Sequence, residues 1–235
     1  VTGPKSVDHE VIREAARRLA KARRAVILVN GSAVREQGLE AVARIREKTG
    51  ATVYLSTFHA RAERGAGRVN IPKLPYFPDQ IYAALDDCDE LILVGQDRPV
   101  TFFAYPGKKS DCTPEGVEPF KLSTLADDQI GALEALADEV GAPALGKLMT
   151  DPRSALVIPE LQSGELTPRS AGHAIAALLP ENAIIADEST TSGGTAYHLT
   201  ANASQHDLIA VTGGAIGGGI PLAIGAAVAC PERKV

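Results

Sequence analysis

The sequence predicts an α/β protein: a doubly wound, mainly parallel sheet over the first 140 residues, then a second and incomplete α/β unit. Three features of its 235 residues carry this reading. Short apolar runs, AVILV throughout and ELILV after its first residue, have the composition of strands covered on both faces. They alternate with stretches of helical periodicity, the βαβ rhythm of a parallel sheet. The rhythm breaks over residues 141–166, where Pro143, Pro152 and Pro159 mark a linker, and then restarts.

Taken in order, VDHEVIREAARRLAKA places Val7, Val11, Ala15, Ala16 and Leu19 on one helical stripe, with Asp8 as cap. Arg13, Arg17, Arg18, Lys21, Arg23 and Arg24 then fall on the wet side of that helix. AVILVN is a buried strand. VREQGLEAVARIREKTG is a helix stopped by Gly50, and TVYLS is a strand. Residues 57–78, with glycines, prolines and Arg61, Arg64 and Arg68, read as a long irregular loop. These arginines fit a solvated surface, with phosphate contact as the alternative. FPDQIYAALDDCD reads as a helix, ELILVG as a strand, VEPFKLS as a weaker strand and ADDQIGALEALADEVG as a helix. After the linker, Thr167 caps a helix that starts with Pro168. NAIIADE is a strand, STTSGGTAYHL a hydroxyl-rich loop entering a helix, HDLIAVT a strand and AIGGGIPLAIGAAVAC a helix. RKV reads as the start of a further strand, so the sequence is expected to be a piece of a longer protein.

Composition narrows the function. A net charge of −5 and 4% aromatic residues argue against a nucleic-acid surface. Cys88, Cys112 and Cys230 show neither disulfide nor zinc spacing, and no apolar signal core opens the chain, so a cytoplasmic protein is expected. His9, His59, His173, His198 and His206 are scattered without ligand spacing. The segment from Asp207 to Glu232 is uncharged between its ends, long enough for a membrane span. Its five glycines between 213 and 219, followed by Pro221, speak against one. A dinucleotide fingerprint also fails: from Gly217 and Gly219 the third glycine position falls on Leu222.

A third reading fits better. Asp187-Glu188-Ser189-Thr190-Thr191 and Thr212-Gly213-Gly214-Ala215-Ile216 each follow an apolar strand, so both loops are expected at one edge of a sheet. Hydroxyls and a helix start suit phosphate oxygens. Bare glycine backbone lets a flat ring approach closely. Together they suit a phosphorylated heterocycle. Taken alone, Thr190 and Thr191 also suit a helix cap, and Ile216 a core position. Asp187 and Glu188 read as strand-end hydrogen bonders rather than a metal pair.

DESTTSG followed by VTGGAIGGGIPLAIGAAVACPERKV resembles the thiamine-diphosphate-binding domain of the 2-oxo-acid decarboxylase and acetolactate synthase group. The resemblance implies a central Rossmann-like domain at 1–140, a linker at 141–166 and the first part of the cofactor-binding domain at 167–235. In that family a GDG segment and an asparagine, which hold magnesium and diphosphate, follow shortly after. The resemblance assigns Thr190 and Thr191 to the diphosphate and Gly214 to a main-chain contact with the aminopyrimidine. It makes Ile216 the bulky residue that props the cofactor into its bent form, and β-branching would make that prop stiff. The implied cofactors of the full-length protein are thiamine diphosphate and Mg2+, with the thiazolium as electron sink in decarboxylation of a 2-oxo acid. The family's activating glutamate lies in an N-terminal domain, so this fragment alone is expected to be inactive, to bind the cofactor weakly or not at all, and to hold no catalytic or metal residue. The full-length protein is expected to be a homodimer or homotetramer.

Within the family, the ES-T loop resembles benzoylformate decarboxylase. That enzyme's central-domain histidine maps to Phe102, which cannot shuttle a proton. The chain as a whole is most similar to acetolactate synthase large-subunit-like proteins, with the decarboxylase as the second reading. A non-catalytic nucleotide-binding or scaffolding module is the alternative from another class.

Overall fold

The computed structural model describes residues 3–235. The chain forms two compact units, one ending at Asp151 and lacking residues 58–70, the other made of Phe58–Asn70 and Pro152–Val235. Residues 58–70 thus join the second unit, in place of a single division between 140 and 167.

In the first unit a four-stranded, all-parallel sheet has the order β2-β1-β4-β5, formed by β1 (Ala25–Val29), β2 (Thr52–Leu55), β4 (Glu90–Val94) and β5 (Phe120–Ser123). All five side chains of β1 are buried, as a central parallel strand requires. The pleat sends alternate residues to opposite faces. On one face Val26, Leu28, Leu91 and Leu93 pack with Ile81 and Leu85 of helix α3 (Pro78–Leu85). The other helices of this unit are α1 (His9–Lys21), α2 (Glu36–Thr49) and α4 (Gln129–Glu139); α4 packs against both α1 and α2.

Helix boundaries follow local chemistry. The Asp8 carboxylate accepts the Glu10 N–H at 2.8 Å. The buried stripe of α1 is Ile12, Ala15 and Leu19; the expected Val11 and Ala16 flank it, half-covered, because the bulkier Ile12 takes the inward position. Helix α2 ends on Gly50 at φ 71°, the left-handed conformation its sequence position suggests. At α4, Asp128 accepts the Gly131 N–H at 3.0 Å. Asp128→Ala should therefore cost about 1 kcal/mol, read as a lower urea midpoint for this unit.

The second unit holds a three-stranded sheet of order β3-β7-β6, from β3 (Arg61–Arg64), β6 (Ala183–Asp187) and β7 (His206–Ala210). Strand β3 corrects the irregular-loop expectation for 57–78. It runs antiparallel to β7, pairing Arg61 with Ile209 and Arg64 with His206. Its three charged residues in four hide the strand from apolar patterning, yet Ala62 and Arg64 are buried in alternation.

Helix α5 (Pro168–Leu178) begins with a capping box between Thr167 and Ser170. It packs on α6 (Gly194–Thr200) at Gly172, where a Cβ would approach the Ala196 nitrogen to 2.8 Å. The last helix, α7 (Gly219–Ala229), starts later than the expected 215 because the glycines form a separate turn. Its Ile220, Ile224 and Val228 are exposed. Among the described residues no helix is long and apolar enough to cross a membrane. In place of the expected strand at RKV there is one ladder-like bond, from Ile184 N–H to the Lys234 carbonyl at 2.8 Å.

Candidate functional site

Strands β6 and β7 are parallel neighbours, in register from Ala183 beside His206 to Asp187 beside Ala210. The loops after Asp187 and Ala210 therefore leave the same edge of the sheet. That is the carboxyl edge, where open α/β sheets receive ligands.

The first loop is fixed by the strand end. Asp187 accepts hydrogen bonds from the Ser189 N–H, at 2.9 Å, and from the Ser189 hydroxyl. Ser192 closes a turn by donating its N–H to the Ser189 carbonyl at 2.8 Å. Thr190, at φ 24°, holds a backbone conformation that a β-branched residue rarely adopts, and both Thr190 and Thr191 are exposed.

The second loop is a tight turn at Thr212–Gly214 followed by Ala215–Gly218. Gly213, Gly214 and Gly217 have φ of 71°, 64° and 86°, so the path demands glycine. A Cβ on Gly213 or Gly217 would meet nothing within 4 Å, so the main chain there is open to an incoming group. Ile216 projects from this turn with 98% of its surface exposed. The two loops are joined by Glu188, whose carboxylate accepts the N–H of Gly217 and, at 2.6 Å, that of Gly219. The strand-end hydrogen-bonding role read for Asp187 and Glu188 is the one they have.

Behind the edge lies a charged interior that the sequence did not announce. Asp207 is buried and accepts from Arg61 Nε at 2.9 Å and Nη2 at 3.2 Å, and pairs with Arg233 Nη1 at 2.6 Å. Burial alone would raise its carboxyl; the hydrogen bonds and charges of Arg61 and Arg233 outweigh it and hold it below the usual carboxylate range. Arg64 is buried, donates to the Tyr197 carbonyl at 2.7 Å and lies 3.6 Å from the Tyr197 ring centroid; burial lowers its pKa. Arg68 donates to the carbonyls of Arg64 and His206. The three arginines are neither a solvated loop nor a free phosphate cluster, because β3 carries Arg61 and Arg64 into the sheet and Arg68, just beyond it, donates to main-chain carbonyls of β3 and β7. Asp187, Ile185, Ser192 and Tyr197 border a cavity of about 230 Å3 between α5, α6 and β6.

The first unit offers less open main chain. After β1, Gly31 has φ 64°, but Gln129 Oε1 accepts from Ser32 N–H at 2.5 Å and from the Ser32 hydroxyl at 2.7 Å. A Cβ on Gly31 would meet that oxygen at 2.5 Å. The turn where a Rossmann domain bares its backbone to a pyrophosphate is here filled by the chain's own glutamine. Phe102 lies edge-on to Phe103, with centroids 4.7 Å apart, and 6.0 Å from the Tyr76 ring.

The donor set suits thiamine diphosphate in kind: exposed hydroxyls on one loop, open glycine backbone and a projecting stiff side chain on its neighbour. Among the described residues no group of three or more His, Cys, Asp or Glu side chains could hold a metal ion.

No protein-family profile matches the chain. It is 45% identical over 211 residues, 90% of its length, to IlvX of Mycobacterium tuberculosis, provisionally described as an acetolactate synthase large subunit; the match spans 40% of that protein. In three dimensions it is similar to the thiamine-diphosphate-dependent 4-hydroxybenzoylformate decarboxylase of Rhodococcus jostii RHA1, with a TM-score of 0.70 and 23% identity over 99% of this chain and 46% of that one. A Mycobacterium smegmatis protein, provisionally described as thiamin diphosphate-dependent, gives a TM-score of 0.67 and 19% identity over 99% and 47%. The chain thus spans somewhat under half the length of the proteins it matches. The chain is thus similar by sequence to an acetolactate synthase large-subunit-like protein, and it shares the fold of proteins described as thiamine-diphosphate-dependent enzymes.

Proposed function

We propose that this chain is part of a thiamine-diphosphate-dependent enzyme acting on 2-oxo acids in the manner of an acetolactate synthase, and that its second unit presents a face of the cofactor site. The observation that carries this is the fully projecting Ile216 on an open glycine turn, at the same sheet edge as Thr190 and Thr191.

When bound, the thiazolium supplies an electron sink for loss of CO2 from a 2-oxo acid. The chain's own residues bind and orient. Thr190 and Thr191 offer hydroxyls to diphosphate oxygens. Gly214 leaves main chain bare toward the aminopyrimidine. Ile216 has few rotamers and supports the bent cofactor from one side. The magnesium ligands and the activating glutamate would come from segments outside this sequence, so the chain alone should show no turnover and no tight cofactor binding.

The test is calorimetry of the full-length protein with thiamine diphosphate and Mg2+. Ile216→Ala should weaken binding by about tenfold or more, since a large apolar side chain leaves a contact worth at least about 1.4 kcal/mol. Unchanged affinity would reject Ile216 as the cofactor's support. A benzoylformate-type decarboxylase is the second reading, favoured by the R. jostii fold match and by aromatic rings around Phe102. Turnover of pyruvate against benzoylformate separates the two. The full-length protein is proposed to be a homodimer or homotetramer in the cytoplasm.

A further inference from the structure

We infer that Glu188 is a positioning residue that couples the two loops of the site: its carboxylate ties the glycine turn to the end of β6 and so fixes where Ile216 projects. The functional part of this inference rests on the thiamine-diphosphate reading; the structural part does not.

Glu188 directly follows the last residue of β6 and stands two residues before Thr190. Its two carboxylate oxygens are divided between two amides, Oε1 accepting from Gly217 and Oε2 from Gly219. These amides flank Gly218, immediately beyond Ile216. One side chain therefore constrains both the hydroxyl loop, through its own backbone, and the wedge, through the turn that carries it.

The fit is close. A Cβ on Gly219 would come within 2.6 Å of Glu188 Oε2 and 2.8 Å of Glu188 Cβ, so a glycine is required opposite this glutamate. Gly219 is also the first residue of α7, and Gly218 offers no side-chain cap. The first amides of a helix lack internal partners and carry partial positive charge. Glu188 meets that need with a full negative charge. The anion-binding end of α7 is thereby occupied by the protein itself. A cofactor phosphate must then be met elsewhere, at the Thr190–Thr191 loop, while the glycine turn is left for the cofactor's rings, neither of which is an anion. Glu188 thus sorts the two ends of the cofactor between the two loops.

The experiment uses the full-length protein with Glu188→Gln, Glu188→Ala, Gly219→Ala and the Glu188→Ala/Gly219→Ala double variant. Hydrogen exchange of the 216–220 segment and the Kd for thiamine diphosphate with Mg2+ are measured for each. Loss of two charge-assisted hydrogen bonds in Glu188→Ala should speed exchange at Gly217 and Gly219 by about tenfold or more. Cofactor affinity should fall in parallel, with exchange across β1 and β4 unchanged. Glu188→Gln keeps one acceptor oxygen and should fall between wild type and Glu188→Ala. Gly219→Ala should disturb the turn strongly when Glu188 is intact and much less in the Glu188→Ala background, so the two substitutions should be non-additive. Additive effects with unaltered exchange would overturn the clamp. A wild-type protein that binds no thiamine diphosphate would instead remove the cofactor reading, while exchange and non-additivity would still judge the clamp. Faster exchange with unchanged cofactor Kd would confine Glu188 to a structural role and overturn its positioning role.

Discussion

Asp207→Ala should destabilise the second unit by about 3 kcal/mol, the lower end of the cost of removing one partner from a buried charge cluster. The carboxylate is buried and shared by Arg61 and Arg233, which approach from opposite parts of the sequence. Its removal leaves two guanidinium groups without their shared carboxylate, although Arg61 keeps its ion pair with Glu63 at 3.1 Å. Arg61 is the more exposed of the two and can rehydrate, and Arg233 retains its bonds to the Asn182 and Ala183 carbonyls. Those two facts keep the cost from rising further. Asp207→Asn preserves shape but not charge and should lie between. The check is urea denaturation at pH 7, following hydrogen exchange of β6 and β7; a loss below about 1 kcal/mol would show that the cluster contributes little. The pH sign follows from the lowered carboxyl. Its contribution is complete above the ordinary carboxylate range and is lost as pH falls through the depressed folded value.

His206 should make the same unit lose about 3 kcal/mol of stability between about pH 6.5 and 4. Its Nδ1–H donates to the Ser204 carbonyl at 2.8 Å, and its Nε2 is buried without a partner. Burial, first, and the nearby Arg64 and Arg68 disfavour the imidazolium; the Ser204 carbonyl and Asp207 favour it but are outweighed, and the pKa falls to about 4. An unfolded chain takes up a proton near pH 6.5 that the folded one refuses. Stability is therefore full above that pH and declines as pH drops, by about 1.4 kcal/mol per unit. His206→Asn can still donate to Ser204 but cannot titrate, so its urea midpoint should stay nearly flat between about pH 7 and 5. A wild-type midpoint equally flat over that range would contradict a neutral, buried imidazole.

Most elements were legible because their local signals agree. AVILV and ELILV are strands since a two-sided cover suits five and four apolar residues in a row, and Asp8, Gly50 and Thr167 mark helix ends by chemistry that acts within three or four residues. The pairing of the two site loops was also readable, because strands that alternate with helices run parallel and release their loops at one edge. What escaped was non-local. RAER looks like surface because its partner, Asp207, lies far along the chain, and no window of sequence contains both. Gln129 filling the turn at Gly31 and Glu188 reaching Gly219 are likewise contacts across the fold, each made by a polar residue whose type alone suggests solvent.

The placement of β3 has a consequence for how the protein is made. Arg61–Arg64 emerges from the ribosome about 140 residues before the strand it must pair with. The four-stranded sheet, whose strands are all complete by Ser123, can consolidate early. The later sheet must wait for β7 and then recruit a segment looped out of the already translated half. Synthesis order and assembly order therefore diverge, and closing that long-range antiparallel pair is the step expected to limit the rate of folding.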